Sequence, residues 1–202
     1  MPDFQCVVYD FAFTLCSQKY FHKLGSQAER QIDQLLFGPG TETHWAIPWM
    51  EGKLSCQDIY QYLSGRMGMP VDRLAEALDE SCRGLRFNPR VHELARQHRA
   101  EGTPTALVTV NMDCFSDVVA PHHRLEELFD VVINSADHGT IDKTQLWPMA
   151  FEALGKGVGY GGSLLIDDSV RNVEAFRSLG GRAILYVDDD HFENELRRNG
   201  LA

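Results

Sequence analysis

The chain has 202 residues, enough for one core and a modest second lobe. At 44% hydrophobic and 24% charged residues it has the composition of a folded globular protein, which excludes extensive disorder. A formal charge of −10 offers no basic excess to offset phosphates, so a nucleic-acid or anionic-membrane surface is excluded as partner.

A small anionic ligand stays admissible, because a metal ion and a local lysine can reverse the field inside a pocket. No run of about twenty apolar residues is present, so no membrane span is expected. The first residues lead into a strand-like run without a leader pattern, and a cytoplasmic protein is expected. Cys6, Cys16, Cys56, Cys82 and Cys114 are odd in number and scattered in sequence. They show no metal-ligand spacing and no disulfide framework, which fits free thiols. Cys16 follows the first candidate turn and is placed to line a pocket.

The first element is an apolar strand at 6–9 that delivers Asp10 into a turn closed by Thr14 and Leu15. A carboxylate at the carboxyl tip of a buried strand is where a nucleophile or metal ligand is expected. Residues 16–86 then form a long insertion with helical periodicity. Ile32, Leu35 and Leu36 make one stripe of a helix at 26–37. Ser55 and Asp58 stand at capping-box spacing, and Pro70 opens a further helix. Asn88 and Pro89 cap a helix at 90–100 that returns the chain to the sheet. Strands at 106–109, 131–134, 164–166 and 183–187 follow, separated by helices at 113–120, 145–154 and 171–179. Asp188, Asp189 and Asp190 end the last strand and cap a final helix.

Strands alternating with helices give an α/β class: a Rossmann-like, mostly parallel sheet with helices on both faces, plus a small α-helical cap. The expected core is 1–15 with 87–202, and the expected cap is 16–86. In such a sheet ligands bind beyond the carboxyl ends of the strands. Those ends carry Asp10, then Thr109 and Asn111, then Lys143 past a short turn, then Asp167, Asp168, Ser169 and Asn172. Trp45, Trp49 and Tyr60 either line a pocket in the cap or pack its helices together. His122 and His123 are read as solvated.

This order of strand-end residues resembles the haloacid dehalogenase-like (HAD) hydrolase superfamily, in particular members with a helical cap after the first strand. The resemblance spans essentially the whole chain: Asp10 to Leu15, Thr109, Lys143, Asp167 with Asp168, and a Gly52-Lys53-Leu54-Ser55 turn in the cap. It implies phosphoryl transfer, with Asp10 attacking phosphorus to form an aspartyl-phosphate. Mg²⁺ is then expected on Asp10, the Ala12 carbonyl and one or both of Asp167 and Asp168. Thr109 would hydrogen-bond a phosphoryl oxygen, Asn111 would help bind substrate, and Lys143 would offset negative charge. The implied partner is a small phosphorylated metabolite.

The chain departs from the family at two positions. Phosphatases of the superfamily carry a second aspartate two residues after the nucleophile, as general acid and base; here the residue is Ala12. Position 13, often glycine, is Phe13. Loss of a general acid–base lowers rates by about 10²–10⁴-fold, so phosphate binding should outlast turnover. Three explanations stay open for Ala12: an introduced substitution, a natural hydrolase using another group such as His22 or His138 or a good leaving group, or a non-catalytic phosphate-ligand binding or regulatory protein. A phosphonatase-like C–P hydrolase, with Lys53, Lys19 or Lys23 as Schiff base, is a further alternative. The paired Asp167 and Asp168 count against metal-free dehalogenation.

Overall fold

The computed structural model describes residues 4–155 and 157–198. Residues 1–3, 156 and 199–202, which the sequence assigns to the core, lie outside the described residues. Five apolar runs form β1 (Cys6–Tyr9), β2 (Thr105–Thr109), β3 (Val131–Asn134), β4 (Ser163–Asp167) and β5 (Arg182–Leu185). They make one sheet in the order β3-β2-β1-β4-β5, and every pairing is parallel.

Strand order reverses between β1 and β4, which opens a crevice at their carboxyl ends. Tyr9 stands opposite Ile166 in the register, and the Asp10 amide donates to the Ile166 carbonyl at 2.9 Å. Asp10 and Asp167, distant in sequence, are thereby set side by side.

Helices cover both faces, and the period-two alternation of the strands decides what each face meets. Between β1 and β2 lie α1 (Ser26–Phe37), α2 (Ala46–Met50), α3 (Cys56–Met67), α4 (Val71–Arg83) and α5 (Pro89–Ala100). After β2 a π turn (Phe115–Val119) runs into α6 (Ala120–His122), followed by α7 (Leu125–Leu128). Pro121 lacks the N–H that an α-helical ladder needs, and the helix widens just before it. After β3 come α8 (Ser135–His138) and α9 (Lys143–Leu154). After β4 comes α10 (Val170–Ser178), and after β5 comes α11 (Asp189–Arg198).

Val7, Tyr9, Leu107 and Ile166 share a core with the α1–α5 segment and α11. Cys6, Val8, Val108 and Leu165 face Trp147 and Phe151 of α9 and Phe176 of α10. The five strands carry almost no exposed surface at these positions, as a sheet covered on both faces requires.

The segment between β1 and α5 is anchored where it leaves and re-enters the sheet. The Asn88 amide donates to the Leu15 carbonyl at 2.8 Å, Ser17 Oγ donates to Asn88 Oδ1 at 3.2 Å, and the Asn88 side-chain amide donates to the Thr14 carbonyl. Asn88 is the N-cap of α5 and Pro89 its first residue, as the sequence indicates. The Asn88 side chain makes no capping bond, because its amide group is committed to the turn after β1. The Ser55–Asp58 capping box is present in full at the start of α3. Asp188 Oδ1 accepts from the His191 amide at 2.7 Å and so caps α11.

A buried polar pair ties α5 to the sheet. The Tyr9 hydroxyl and His98 Nδ1 lie 2.7 Å apart. Burial holds the His98 ring below its ordinary pKa, so the folded protein keeps it neutral. The unfolded chain takes up a proton there as pH falls past about 6.5. Stability contributed by the neutral ring is therefore present above that pH and is lost below it. Between pH ~7 and ~5, denaturant titrations should show the wild type losing more stability than His98→Gln. Equal losses in the two proteins would contradict a neutral buried ring.

Candidate active site

Asp10 sits at the tip of β1, only 5% exposed. Lys143 is the first residue of α9, whose N-cap Asp142 accepts from the Thr144 amide at 2.9 Å. A cation at a helix N-terminus opposes the helix dipole, so other charges must hold it there. Lys143 Nζ lies 2.7 Å from Asp10 Oδ1 and 2.8 Å from Asp167 Oδ2, with all three side chains buried. Asp167 is held in turn from the other side. Its Oδ1 accepts from the Ser169 amide at 2.9 Å and from Asn172 Nδ2 at 3.0 Å. Asp168, half-buried, presents a carboxylate oxygen within 4.8 Å of oxygens of Asp10 and Asp167.

The electrostatics follow from this packing. Burial pushes the Asp10 carboxyl up to about 7; Lys143 pulls against the rise, and the Asp167 and Asp168 charges add to it. Burial also raises Asp168, with Asp167 contributing. For Lys143 burial works downward, but Asp10 and Asp167 outweigh it and hold the ammonium above its usual pKa. Three carboxylates thus face one ammonium, a formal excess of two negative charges.

Asp10, Asp167 and Asp168 each present an oxygen, and these atoms lie within 4.8 Å of one another. Opposite corners of a magnesium octahedron stand about 4 Å apart. The donor set is all oxygen, matched in charge and close to that span, so it fits a hard divalent cation.

Thr109 ends β2, one strand over. Its side-chain hydroxyl is buried and has no hydrogen-bond partner, as is that of Thr14 in the turn after Asp10. A buried hydroxyl left unpaired costs about 1–3 kcal/mol, and a phosphoryl oxygen is a partner that would remove that cost. Asn111 is buried, with Oδ1 accepting from the Tyr20 hydroxyl at 2.9 Å and from the Met112 amide at 3.1 Å. Ala12 is half-buried in a turn closed by Phe13 N–H to the Cys16 carbonyl and Cys16 N–H to the Phe11 carbonyl, both 2.8 Å. Phe13 adopts φ +59°, a left-handed conformation that costs a residue with a Cβ about 1–2 kcal/mol. That geometry is the physical reason glycine suits the position.

A cavity of about 630 Å³ opens beside these strand ends, bounded by Ala12, Cys16, Val110 and Asn111 on one side and by Trp49 and the end of α1 on the other.

No protein-family model matches the sequence, and no curated protein matches it. Solved structures do. L-2-haloacid dehalogenase from Xanthobacter autotrophicus is similar with a TM-score of 0.65 at 15% identity, over 98% of this chain and 84% of that one. A HAD family enzyme from Bacteroides thetaiotaomicron, in complex with magnesium and inorganic phosphate, gives 0.64 at 16% identity, over 93% and 98%. A HAD-superfamily hydrolase from Ehrlichia chaffeensis gives 0.60 at 18% identity, over 100% and 98%. The chain has the haloacid dehalogenase-like fold. An aspartate-to-alanine mutant of the Bacteroides enzyme, also with magnesium and inorganic phosphate, is similar with a TM-score of 0.64 at 15% identity.

Several residues of this HAD-fold chain stand elsewhere than the sequence placed them, or do more. Asp113, which the sequence marked only as a helix start, joins the helical segment to the sheet. Its Oδ1 accepts from Trp49 Nε1 at 2.7 Å and from the Cys114 amide at 2.9 Å, and its Oδ2 accepts from the Cys56 amide at 2.8 Å. It therefore caps α3 from outside that helix, which no local spacing reveals. Cys56 and Cys114, far apart in sequence, meet at the same carboxylate. Hydrogen bonding with Cys56 and Cys82, together with burial, holds the Cys114 thiol well above its usual pKa.

Gly52 is a second joint. It has φ +66°, and a Cβ there would meet the Ala136 carbonyl oxygen of α8 at 2.2 Å. Trp49 is fully buried and also borders the cavity, so packing and lining are not alternatives for it. Trp45 stacks on Tyr62 with centroids 3.6 Å apart. His123 is not solvated as expected: it is half-buried, its Nε2 2.9 Å from the Cys82 carbonyl and its ring 5.0 Å from that of Phe87. Lys19 borders the cavity and pairs with Asp33 at 2.5 Å, whereas Lys53 is exposed and pairs with Glu51 at 2.6 Å. His22 and His138 do not border the cavity.

Proposed function

We propose that this chain is a Mg²⁺-dependent hydrolase of small phosphate esters, with Asp10 as nucleophile and turnover weakened by Ala12. The observation that carries the proposal is Lys143 wedged between Asp10 and Asp167 with a third carboxylate in reach. A phosphate dianion cannot approach a buried carboxylate unless nearby positive charge cancels the repulsion. Lys143 supplies one such charge. Bound to Asp10, Asp167, Asp168 and the Ala12 carbonyl, magnesium would neutralise the remaining charge on the nucleophile and the phosphate.

An Asp10 oxygen attacks phosphorus, and the phosphoryl oxygens meet Lys143 Nζ and the unpartnered Thr109 hydroxyl. Asn111, its carbonyl fixed by Tyr20, keeps its amide hydrogens for the substrate. The Ala12 methyl can neither protonate a leaving oxygen nor activate water, so the aspartyl-phosphate should persist. Its persistence supplies the test. With Mg²⁺ and acetyl phosphate, mass spectrometry should find a phosphoryl group on Asp10, absent in Asp10→Asn and absent when the metal is chelated. An unlabelled Asp10 that still binds phosphate in a metal-dependent way would instead favour a non-catalytic binding protein.

A further inference from the structure

We propose that the substrate is an aryl phosphate, a monoester whose bridging oxygen is carried on an aromatic ring. The proposal rests on the phosphoryl-transfer function above and names the leaving group.

The cavity of about 630 Å³ is lined by Ala12 and Asn111, two residues beyond Asp10 and Thr109, but not by Asp10, Thr109, Lys143 or Asp167 themselves. It adjoins the strand-end site, and the proposal places the leaving group in it. That volume lies in the range of small-molecule sites. Six aromatic residues border it: Phe11, Phe21 and Trp49, which are buried, and Phe13, Tyr20 and Phe37, which are more accessible. Phe13 and Phe37 are 52% and 44% exposed, large apolar surfaces beside the cavity. Phe13 also holds a left-handed backbone, strain of the kind that collects at ligand sites.

Several polar groups of the wall are already engaged within the protein, while the Asn111 amide hydrogens stay free. Lys19 pairs with Asp33 at 2.5 Å, the Tyr20 hydroxyl donates to Asn111, and Gln18 Oε1 accepts from the Arg86 amide at 2.5 Å. A sugar or polyol leaving group would bury hydroxyls with few partners, which such a wall disfavours. An aromatic body buries apolar surface at no such cost.

The missing acid points the same way. A phenol ionises near pH 10, against 15.7 for water, so an aryl oxide departs as an anion several orders of magnitude more readily than an alkoxide. In the first half-reaction an Asp10 oxygen bonds to phosphorus while the bond from phosphorus to the aryl oxygen breaks. The aryl oxide leaves with that electron pair and is protonated by solvent. In the second, water bonds to phosphorus, the acyl-phosphate bond breaks, inorganic phosphate leaves and the Asp10 carboxylate is restored. Ala12 impairs the first half little for an aryl ester and the second half fully. The kinetic signature is a burst.

Stopped-flow mixing with Mg²⁺ and nitrophenyl, phenyl, naphthyl, benzyl or glycerol phosphate tests this. The aryl esters should release one equivalent of phenol per protein in a burst at least about 10²-fold faster than reaction of the benzyl or glycerol esters. Naphthyl phosphate should half-saturate at about tenfold lower concentration than phenyl phosphate, from the extra apolar area buried. Phe37→Ala, at an exposed position, should shrink that advantage. If acetyl phosphate labels Asp10 while aryl and alkyl esters react alike, or naphthyl and phenyl esters half-saturate alike, the aryl proposal is overturned and phosphoryl transfer stands. If acetyl phosphate does not label Asp10, both fall.

Discussion

Ala12→Asp should raise steady-state turnover of a phosphate ester by about 10²–10⁴-fold, the range that a positioned general acid–base supplies. The expectation comes from the position of the side chain. Ala12 is two residues beyond Asp10, half-buried, and on the wall of the cavity in which the leaving group is proposed to sit. A carboxyl there can reach the oxygen on which charge develops and, later, a water approaching the aspartyl-phosphate. The gain should depend on the ester. For a poor, alkoxide-like leaving group both half-reactions improve. For an aryl ester mainly the second improves, so the burst should give way to linear release. Phosphate release measured with Mg²⁺ decides the matter. A variant no faster than wild type on any ester, though folded and phosphorylatable on Asp10, would show that some other group already supplies the proton.

What could be read from the sequence, and what could not, divides along the range of the interaction. Strand ends are local features. A short apolar run that stops at Asp10, Thr109 or Asp167 says where the sheet ends, and a parallel sheet gathers its carboxyl ends at one edge. Lys143 was legible only by chain order, since it stands at a helix start where the dipole disfavours it; the carboxylates that hold it come from β1 and β4. The Asp113 joint was not legible. A carboxylate that caps a helix more than fifty residues earlier in the chain leaves no spacing signature. Asn88 does stand at the cap of α5 as its sequence context indicates, but its contacts across the chain were not legible: Oδ1 accepts from Ser17 Oγ and Nδ2 donates to the Thr14 carbonyl. The cavity was legible only in part: the sequence marks Trp49 and Cys16 as pocket candidates, whereas Phe11, Phe21 and Phe37 join them only through the tertiary packing of the segment after β1.

Lys143→Met is expected to cost about 3–5 kcal/mol of stability at neutral pH in metal-free buffer, the usual result of removing one partner of a buried charge cluster. Methionine keeps most of the volume, so a lost cavity contact contributes little. What remains is Asp10 beside Asp167 and Asp168 with the opposing ammonium gone. Burial already pushes Asp10 up to about 7 in the wild type, and without Lys143 it rises further. A carboxyl whose folded pKa lies above its unfolded value binds more protons folded than unfolded, so its protonation favours folding at low pH and that benefit is lost as pH rises. The deficit of the variant should therefore be largest above pH ~7 and shrink toward pH ~5. Millimolar Mg²⁺ should recover part of it by supplying the missing charge, and Lys143→Arg should lose less than Lys143→Met. Urea titrations of the three proteins across pH, with and without Mg²⁺, separate these effects. A deficit below about 0.5 kcal/mol that ignores both pH and metal would mean that Lys143 does not balance the carboxylates. Without that balance, a phosphate dianion could not approach Asp10.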